Sequence, residues 1–382
     1  MPAALDDVTV VSFAQLGQGP IATQMLGDMG AEVIKIERPD VGEWMRHWSM
    51  ANTFADGESL AFLSVNRNKL SVEADLKDED HLEAVYGLIE EADVVIENFR
   101  PGVMDRLGLG WDDLKERNRG LVYCSSSGYG AEGPYADRPG QDLIIQGISG
   151  LAALTGREDD PPTPLGTTVV DFFSAAYLAF AILTALHYRN RTGVGQKIEG
   201  DLFSATIAML AQEVAVYTNT GIEPDRSEAG IAHAYNQAPY GIYETADGYL
   251  TLSLSMPAEV GEVLDISTLD GIDTWEAAYE RRDEVKREIE AVLRTESTDH
   301  WLETLWDADI WCGPVNDLPT ALEHPHVDIN DLVETVEHPT VGTVSLSGIP
   351  VRLSETPGRV TRHPPLLGEH TEEVFDRVGF SP

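Results

Sequence analysis

The chain has 382 residues, and 65 acidic against 26 basic side chains give it a formal net charge of −39 at pH 7. Such a surface repels nucleic acid and anionic membranes, so we expect neither as a partner. The acidic residues are spread along the chain, and salt at about 1 M screens their repulsion within about 3 Å. We interpret the charge as an adaptation to molar salt and expect the cytoplasmic protein of a halophile.

The cysteines and histidines predict no metal centre. Cys124 and Cys312 have the spacing of neither a zinc site nor a disulfide framework. The 10 histidines are scattered, without a spacing typical of metal ligands. The first residues lack the basic and apolar segments of a leader, and no uninterrupted apolar run reaches about 18 residues, so we expect a soluble protein that is not exported.

The N-terminal third alternates between strand and helix patterns. Strands are predicted at residues 8–13, 32–37, 93–98 and 121–127, and helices at residues 20–30 and about 78–91. Such alternation indicates parallel βαβ units with helices on both faces of the sheet. This part of the chain is therefore predicted to be an α/β domain.

An apolar helix is predicted over Phe172–Arg191 and ends at Thr192–Gly195, with arginines in its last turn. The β-branched run Thr167–Val170 predicts a strand end before it, which makes Asp171 the N-cap. Capping alone explains an aspartate here, because its carboxylate accepts a hydrogen bond from a free backbone N–H. A carboxylate at this position can also act as a nucleophile, so both interpretations stay open.

The rest of the chain has a different pattern. A helix at residues 202–218 is followed by strands at 240–245 and 249–255 around the turn Ala246–Gly248, then by helical periodicity to about residue 325. A strand pattern returns at residues 341–354, and a last helix is predicted within 364–380. We predict a small α+β domain over residues 225–325, after which the chain returns to the first domain.

A glycine-rich turn follows the first strand. Residues Gly17–Ala22 have the form G-x-G-x-x-A and open a helix, and Glu37 lies at the end of the next strand. This is the spacing of a dinucleotide-binding fingerprint. Lys35 and Arg38 beside Glu37 suit a phosphorylated ligand better than a bare ribose. Packing glycines with a surface acid are the alternative interpretation.

A second candidate loop, Asn98–Gly102, follows the strand at residues 93–98. Loops at the carboxyl ends of parallel strands are where α/β proteins bind ligands. Phe99 offers a stacking face for a base, and Arg100 and Arg106 offer contacts to phosphate. A pair of solvated arginines is the alternative.

Six segments together resemble one family, the class III CoA-transferases, which include formyl-CoA transferase and carnitine CoA-transferase. They occur in the family's order at residues 18–39, 66–77, 96–109, 125–142, 169–196 and 365–374. The resemblance therefore extends over nearly the whole chain. The charge suggests a member of the type found in halophilic archaea.

The resemblance implies a Rossmann-like large domain, residues 1–224 completed by about 326–382, a small α+β domain of residues 225–325, and a homodimer of interlocked rings. It places the family's nucleophilic aspartate on Asp171. In the family this carboxylate attacks the donor thioester to give a mixed anhydride, and the released CoA thiolate then forms an aspartyl-CoA thioester. The acceptor acid reverses these steps. No metal or redox cofactor takes part, and CoA thioesters are the substrates.

The resemblance also implies a set of CoA contacts. They fall on Leu16, Gly17, Arg38, Ala74, Lys77, Asn98, Phe99, Arg106 and Arg138. Adenine is expected near Phe99 and Lys77. The phosphates are expected near the three arginines of the set.

A related branch, the 2-methylacyl-CoA racemases, has a Gly-His-Asp triplet where this chain has Gly140-Gln141-Asp142. Glutamine cannot exchange a proton at the substrate's α-carbon as histidine does. We therefore expect Gln141 and Asp142 to orient the substrate near Asp171, although a loop amide bonded to backbone is the plainer interpretation of Gln141.

The sequence thus predicts transfer of CoA to a free carboxylic acid. Succinyl-CoA is the expected donor, and mesaconate or another short dicarboxylate the expected acceptor. Three rival interpretations remain: a racemase, an NAD-dependent dehydrogenase that uses Gly17 and Glu37, and a non-catalytic acyl-CoA binding protein.

Overall fold

The computed structural model describes residues 2–380 of the chain. Its strands are β1 Thr9–Ser12, β2 Glu32–Glu37, β3 Phe54–Ala55, β4 Glu58–Ser59, β5 Lys69–Glu73, β6 Val94–Glu97, β7 Val122–Ser127, β8 Gln196–Asp201, β9 Gly241–Glu244, β10 Tyr249–Leu252, β11 Cys312–Pro314, β12 Val333–His338 and β13 Gly342–Ser347. Its α-helices are α1 Gln18–Asp28, α2 Leu60–Val65, α3 Glu79–Glu91, α4 Val103–Arg106, α5 Trp111–Arg117, α6 Asp142–Ile148, α7 Val169–Thr192, α8 Leu202–Met209, α9 Ala211–Thr220, α10 Pro257–Leu264, α11 Trp275–Glu280, α12 Arg282–Leu293, α13 Thr298–Asp307, α14 Leu318–Leu322, α15 Pro325–Ile329 and α16 Thr371–Asp376.

The chain divides into two compact units. The first comprises residues 1–145, 168–209 and 325–382, and the second comprises residues 146–167 and 210–324. The domain boundaries that we inferred from the sequence stay a prediction, because compactness within one chain does not show which segments fold independently.

A six-stranded parallel sheet in the order β5-β2-β1-β6-β7-β8 organises the first unit. Successive strand residues point to opposite faces, so Val10 packs with α1 and α7 whereas Val11 packs with α3 and α5. Both valines are fully buried. The predicted α/β class, with helices on both faces of a parallel sheet, is confirmed.

The position of β1 in this sheet creates a ligand crevice. The strand pairs with β2 on one side and with β6 on the other. Connections leave in opposite directions at such a switch point, so the loops at the carboxyl ends of the strands diverge and leave room between them. The Asn98 amide joins the two loops across this point, because it donates to the Gln15 carbonyl oxygen over 2.7 Å and accepts from the Gln15 N–H over 2.8 Å.

The second unit contains an antiparallel sheet in the order β11-β10-β9. Strands β9 and β10 form the hairpin predicted around Ala246–Gly248. Tyr243, Leu250 and Leu252 on one face of this sheet belong to a core cluster with residues of α10, α12 and α13. The mixed α+β character expected for this region is therefore observed.

The start of α7 differs from the prediction. The helix begins at Val169, its N-cap residue is Thr168, and Asp171 is its third residue. The predicted strand end at Thr167–Val170 and the assignment of Asp171 as N-cap were therefore wrong. The β-branched residues favour a strand locally, but Val170 is fully buried in the core of the first unit, and such packing overrides local propensity.

Helix α7 is long and apolar enough to cross a membrane, judged by length and composition alone. Here it packs against α1 and α8 and against β7 and β8. Ala175 and Ile182 are completely buried in the core on this side. These contacts are those of the central helix of a doubly wound sheet.

Candidate active site

The turn from β1 into α1 closely approaches Asp171. A Cβ atom on Gly17 would lie 2.5 Å from Asp171 Oδ2 and 2.8 Å from its Cγ, so any other residue here would displace the Asp171 carboxylate. The backbone N–H of Gln18 lies close enough to the Asp171 carboxylate to lower its pKa. The Gln18 side chain donates to the hydroxyl of Ser174, one turn further along α7. Asp171 is thus held against the N-terminus of α1 as well as that of its own helix.

Asp142 supplies the cap that the sequence had assigned to Asp171. Its Oδ2 atom accepts the backbone N–H of Val170 over 2.7 Å and that of Asp171 over 3.1 Å. Asp142 is buried. The carboxylate of Asp171 is therefore not needed for capping and faces the cleft.

The environment of Asp171 raises its pKa. Burial is the largest cause, and the negative charge of Asp142 adds to it, whereas the hydrogen bond from the Gln18 N–H opposes both. Together they raise the pKa from 3.8 to about 7. The N-terminus of α7 does not keep this carboxylate fully ionised, because Asp142 already occupies the N–H groups of Val170 and Asp171. At neutral pH Asp171 is distributed between its acid and its carboxylate.

A cleft of about 300 Å³ opens in front of Asp171. Its lining residues are Leu16, Gly17, Gln18, Ile21, Trp44, Met45, Trp48, Met50, Ala61, Ser64, Val65, Asn98, Ser127, Gly128, Gly140, Gln141, Thr168, Asp171, Phe172 and Leu202. The sequence had named Leu16, Gly17, Asn98, Gln141 and Asp171 among them. Asp171 is the only acidic side chain among the residues lining this cleft.

One wall of the cleft was not predicted. Trp44 and Trp48 stack with ring centroids 5.3 Å apart, and Met50 lies beside them. These side chains are exposed although they are large and apolar. Two tryptophans four residues apart in a segment without strand or helix periodicity are the signal that sequence reasoning missed, because it weighed only charged and glycine-rich motifs.

A second cavity, of about 510 Å³, lies at the carboxyl ends of β2, β5 and β6. Arg38, Ala74, Lys77 and Phe99 line it together, and their role as CoA contacts stays a prediction. The two basic side chains are exposed and Ala74 is buried. The cavity thus combines cations for phosphate groups with an aromatic ring for a base.

The other two arginines expected to contact CoA line neither cavity. Arg106 is exposed at the end of α4. Arg138 is also exposed, and its guanidinium group lies 4.5 Å from the centre of the Tyr135 ring. Their assignment to CoA phosphates stays a prediction.

Glu37 is not available to a ribose. Its carboxylate accepts hydrogen bonds from Arg46 over 2.7 and 2.8 Å and from the Ser71 hydroxyl over 2.7 Å. Burial raises the pKa of Glu37, but the Arg46 hydrogen bonds and the charges of Lys35 and Arg46 outweigh burial and lower it to about 2. The dinucleotide fingerprint therefore lacks a free acid for a ribose diol.

Among residues 2–380, no group of three or more His, Cys, Asp or Glu side chains could hold a metal ion.

Comparison with known proteins agrees with this architecture. The family model described as CoA-transferase family III matches residues 5–371. Succinate–glutarate CoA-transferase of Agrobacterium fabrum is 37% identical over 97% of this chain and 94% of its own length. Succinyl-CoA:mesaconate CoA-transferase of Haloarcula hispanica is 33% identical over 98% of this chain and 96% of its own. A crystal structure of a CAIB/BAIF family protein from Brucella suis superposes with a TM-score of 0.86, at 32% identity, and covers 99% of this chain and 100% of that one.

The fold, the cleft and these relatives define an enzyme that transfers CoA. The chain belongs to CoA-transferase family III, as the sequence resemblance implied. CoA thioesters are the substrates of enzymes of this class.

The raised pKa of Asp171 predicts the pH dependence of the reaction. If the carboxylate is the reactive form, kcat/KM should rise with pH through a midpoint near 7 and then level off. Asp142→Asn should move the midpoint to lower pH, because it removes a like charge while its side-chain oxygen can still accept a backbone N–H. Thioester exchange would be followed from about pH 5.5 to 9 against an enzyme-free control. A wild-type kcat/KM that is already constant across this whole pH range would contradict the raised pKa.

The same shift predicts a gain in stability for Asp171→Asn. A folded-state pKa above the unfolded value means that the native state loses stability as the pH rises from about 4 to about 7. At pH 8 the variant should therefore be more stable, by at most about 4 kcal/mol, since one pKa unit corresponds to about 1.4 kcal/mol. Thermal unfolding at pH 8 and pH 5.5 should show the gain shrinking at the lower pH. The exposed variant Glu303→Gln controls for loss of one negative charge, and an equal gain at both pH values would contradict the argument.

Proposed function

We propose that this enzyme moves CoA from succinyl-CoA to a free short dicarboxylic acid through an aspartyl-CoA thioester on Asp171. The observation that carries the proposal is the position of Asp171, which is the only acidic side chain among the residues lining the cleft and lies against the turn that leads into α1. A carboxylate in this position can attack a thioester without a second base, because an ionised carboxylate has no proton that must first be removed.

The proposed reaction has two halves. An oxygen of the Asp171 carboxylate attacks the thioester carbonyl carbon, the C–S bond breaks, and CoA thiolate leaves a mixed anhydride. The thiolate then attacks the Asp171 carbonyl carbon, which releases the donor acid as its carboxylate and forms the aspartyl-CoA thioester. The acceptor carboxylate repeats these steps in reverse and frees Asp171.

The negative charge that develops on oxygen needs a hydrogen-bond donor. The N–H groups of Val170 and Asp171 are already bonded to Asp142. We therefore assign this role to the backbone N–H of Gln18 at the start of α1, the N–H that already reaches the Asp171 carboxylate.

The two cavities suit the two ends of a CoA thioester. Asn98 lines the cleft, and the next residue, Phe99, lines the second cavity. In the loop after β1, Leu16 lines the cleft and its neighbour Gln15 lines the second cavity. In the proposed complex the nucleotide lies near Arg38, Lys77 and Phe99, and the pantetheine arm crosses the two loops to Asp171. Arg106 and Arg138 are assigned to phosphates by family resemblance alone.

The acyl groups are proposed from relatives. The A. fabrum protein is named for succinate and glutarate, and the H. hispanica protein for succinyl-CoA and mesaconate. Both names combine a succinyl group with another short dicarboxylate. We propose the same donor here and mesaconate or a similar acid as acceptor, with Gln141 in the cleft orienting the acid and Asp142 holding the start of α7.

One observation favours a racemase as the second candidate. A carboxyl group with a pKa near 7 could also exchange a proton at a substrate's α-carbon. Gln141 at the cleft cannot supply the second acid/base group, which is why transfer is preferred.

A single set of reactions separates the candidates. The protein would be dissolved in molar KCl made with D₂O and given succinyl-CoA and a 2-methylacyl-CoA. Glutarate, mesaconate and citramalate would be added as acceptors one at a time, and the thioesters formed would be identified by mass spectrometry. Asp171→Ala should abolish every new thioester while leaving CoA binding intact, and Asp159→Ala, an exposed aspartate of the second unit, should not. Deuterium uptake without a new thioester would establish the racemase, and normal exchange by Asp171→Ala would exclude the proposed nucleophile.

We also propose an interlocked homodimer, with a CoA-binding domain of residues 1–224 and about 326–382 and a small domain of residues 225–325. Helix α7 supports an intersubunit contact, because Tyr177, Phe180 and Leu183 are 49%, 66% and 42% exposed at helical spacing. Apolar side chains grouped in this way mark an association surface. The net charge of −39 supports a cytoplasm with molar salt as its setting.

Interlocked subunits cannot separate while they remain folded, and this predicts their exchange behaviour. Dimers labelled with heavy isotopes and unlabelled dimers, when mixed, should form hybrid dimers no faster than the protein unfolds. Native mass spectrometry over several days, beside the unfolding rate in the same buffer, makes the comparison. Rapid hybrid formation would indicate an ordinary dimer, and a monomer in molar KCl would contradict association altogether.

A further inference from the structure

Glu43 lies beneath the turn that leads into α1, and both its carboxylate oxygens have partners there. Its Oε2 atom accepts the backbone N–H of Leu16 over 2.8 Å. Its Oε1 atom lies 3.3 Å from Nζ of Lys35, and both side chains are 1% exposed. Glu43 is not among the residues that line the cleft in front of Asp171.

Lys35 holds the same turn from the other side. Its ammonium group donates to the carbonyl oxygen of Ala14 over 2.8 Å. The ion pair of Lys35 and Glu43 thus binds a backbone acceptor at residue 14 and a backbone donor at residue 16. Removal of one partner would leave a charge buried without its counter-ion, which is unfavourable.

The turn needs such a constraint because Leu16 has a φ of +62°. This left-handed conformation is unfavourable for leucine and persists only where surrounding contacts enforce it. The residues that follow are Gly17, which abuts the Asp171 carboxylate, and Gln18, whose N–H lowers the pKa of that carboxylate. The conformation of Leu16 therefore sets where this N–H group lies.

We propose that Glu43 is a positioning residue for CoA transfer, which acts through Leu16 to hold the Gln18 N–H on Asp171. This inference rests on the proposed role of Asp171 as nucleophile. Glu43 touches neither cavity and contributes no atom to the reaction. Its removal should therefore slow the chemical steps more than it weakens binding of the thioester.

Glu43→Gln tests this, because it turns one of the two carboxylate oxygens, which contact Leu16 and Lys35 separately, into an amide NH₂ that cannot accept a hydrogen bond. Asp93→Asn is the matched control at the amino ends of β1 and β6, where the Asp93 carboxylate accepts the Thr9 N–H over 2.7 Å and pairs with Arg189 over 2.5 Å. Both variants would be assayed with the donor and acceptor that the wild-type protein uses fastest in the thioester panel. We expect kcat of Glu43→Gln to fall at least about tenfold with KM for the thioester changed less than about threefold, since small misplacements of reacting groups cost about this much or more. Asp93→Asn should lose stability and keep kcat.

A second substitution separates positioning from general loss of stability. Glycine adopts the left-handed conformation without strain, so Leu16→Gly should restore part of kcat when added to Glu43→Gln. The Leu16→Gly single variant provides the reference, because Leu16 lines the cleft. Hydrogen exchange of the Leu16 amide should be faster in Glu43→Gln than in wild type and unchanged in Asp93→Asn.

The outcomes distinguish this inference from the proposed mechanism. Equal fractional losses of kcat in Glu43→Gln and Asp93→Asn, or unchanged exchange at Leu16, would overturn the positioning role. If Asp171→Ala, assayed in parallel, keeps full activity, the proposed nucleophile fails, whatever Glu43→Gln does. An inactive Asp171→Ala beside a fully active Glu43→Gln would remove the role of Glu43 alone.

Discussion

The first turns of α1 and α7 meet at Asp171, and the cleft depends on how closely they approach. Gly17 leaves no room for a side chain, and the Gln18 amide reaches Ser174 on α7. Behind this contact, apolar residues of both helices pack in one core cluster on the same face of the sheet. A shift of either helix would move the Asp171 carboxylate relative to the Gln18 N–H. The packing of the core therefore determines the geometry of the site.

Much of this arrangement was readable from local sequence. The strand patterns identified β1, β2, β6 and β7 but missed β5 and β8 at the two edges of the sheet, and the glycines after β1 and the loop after β6 marked the crevice at the switch point. The cap of α7 was not readable, because Asp142 comes from a segment 28 positions before Val170. The hydrogen-bond partners of Glu37 could not be predicted for a similar reason. Its partners Arg46 and Ser71 are distant in sequence, and nothing in the fingerprint indicates that they bind it.

Lysine is rare in this acidic chain, and half of the lysine side chains are buried. Lys35, Lys69 and Lys286 are buried, and their ammonium groups donate to backbone carbonyl oxygens of Ala14, Pro20 and Ile242, respectively. Burial lowers the pKa of Lys69 well below its usual value, and the charge of Lys35 adds to this effect. The few lysines thus lie largely where the backbone needs a strong donor, while the exposed surface stays acidic.

The boundary between the two cavities has a consequence for how such enzymes diverge. The cavity with Arg38, Lys77 and Phe99 and the wall with Trp44, Trp48 and Met50 belong to different segments and share no lining residue. Substitutions in the aromatic wall would therefore alter the cleft in front of Asp171 and leave the lining of the second cavity unchanged. In the proposed complex, gene duplicates of one ancestor would thus change the surroundings of the acyl group through residues 44–50 while those of the nucleotide stay the same.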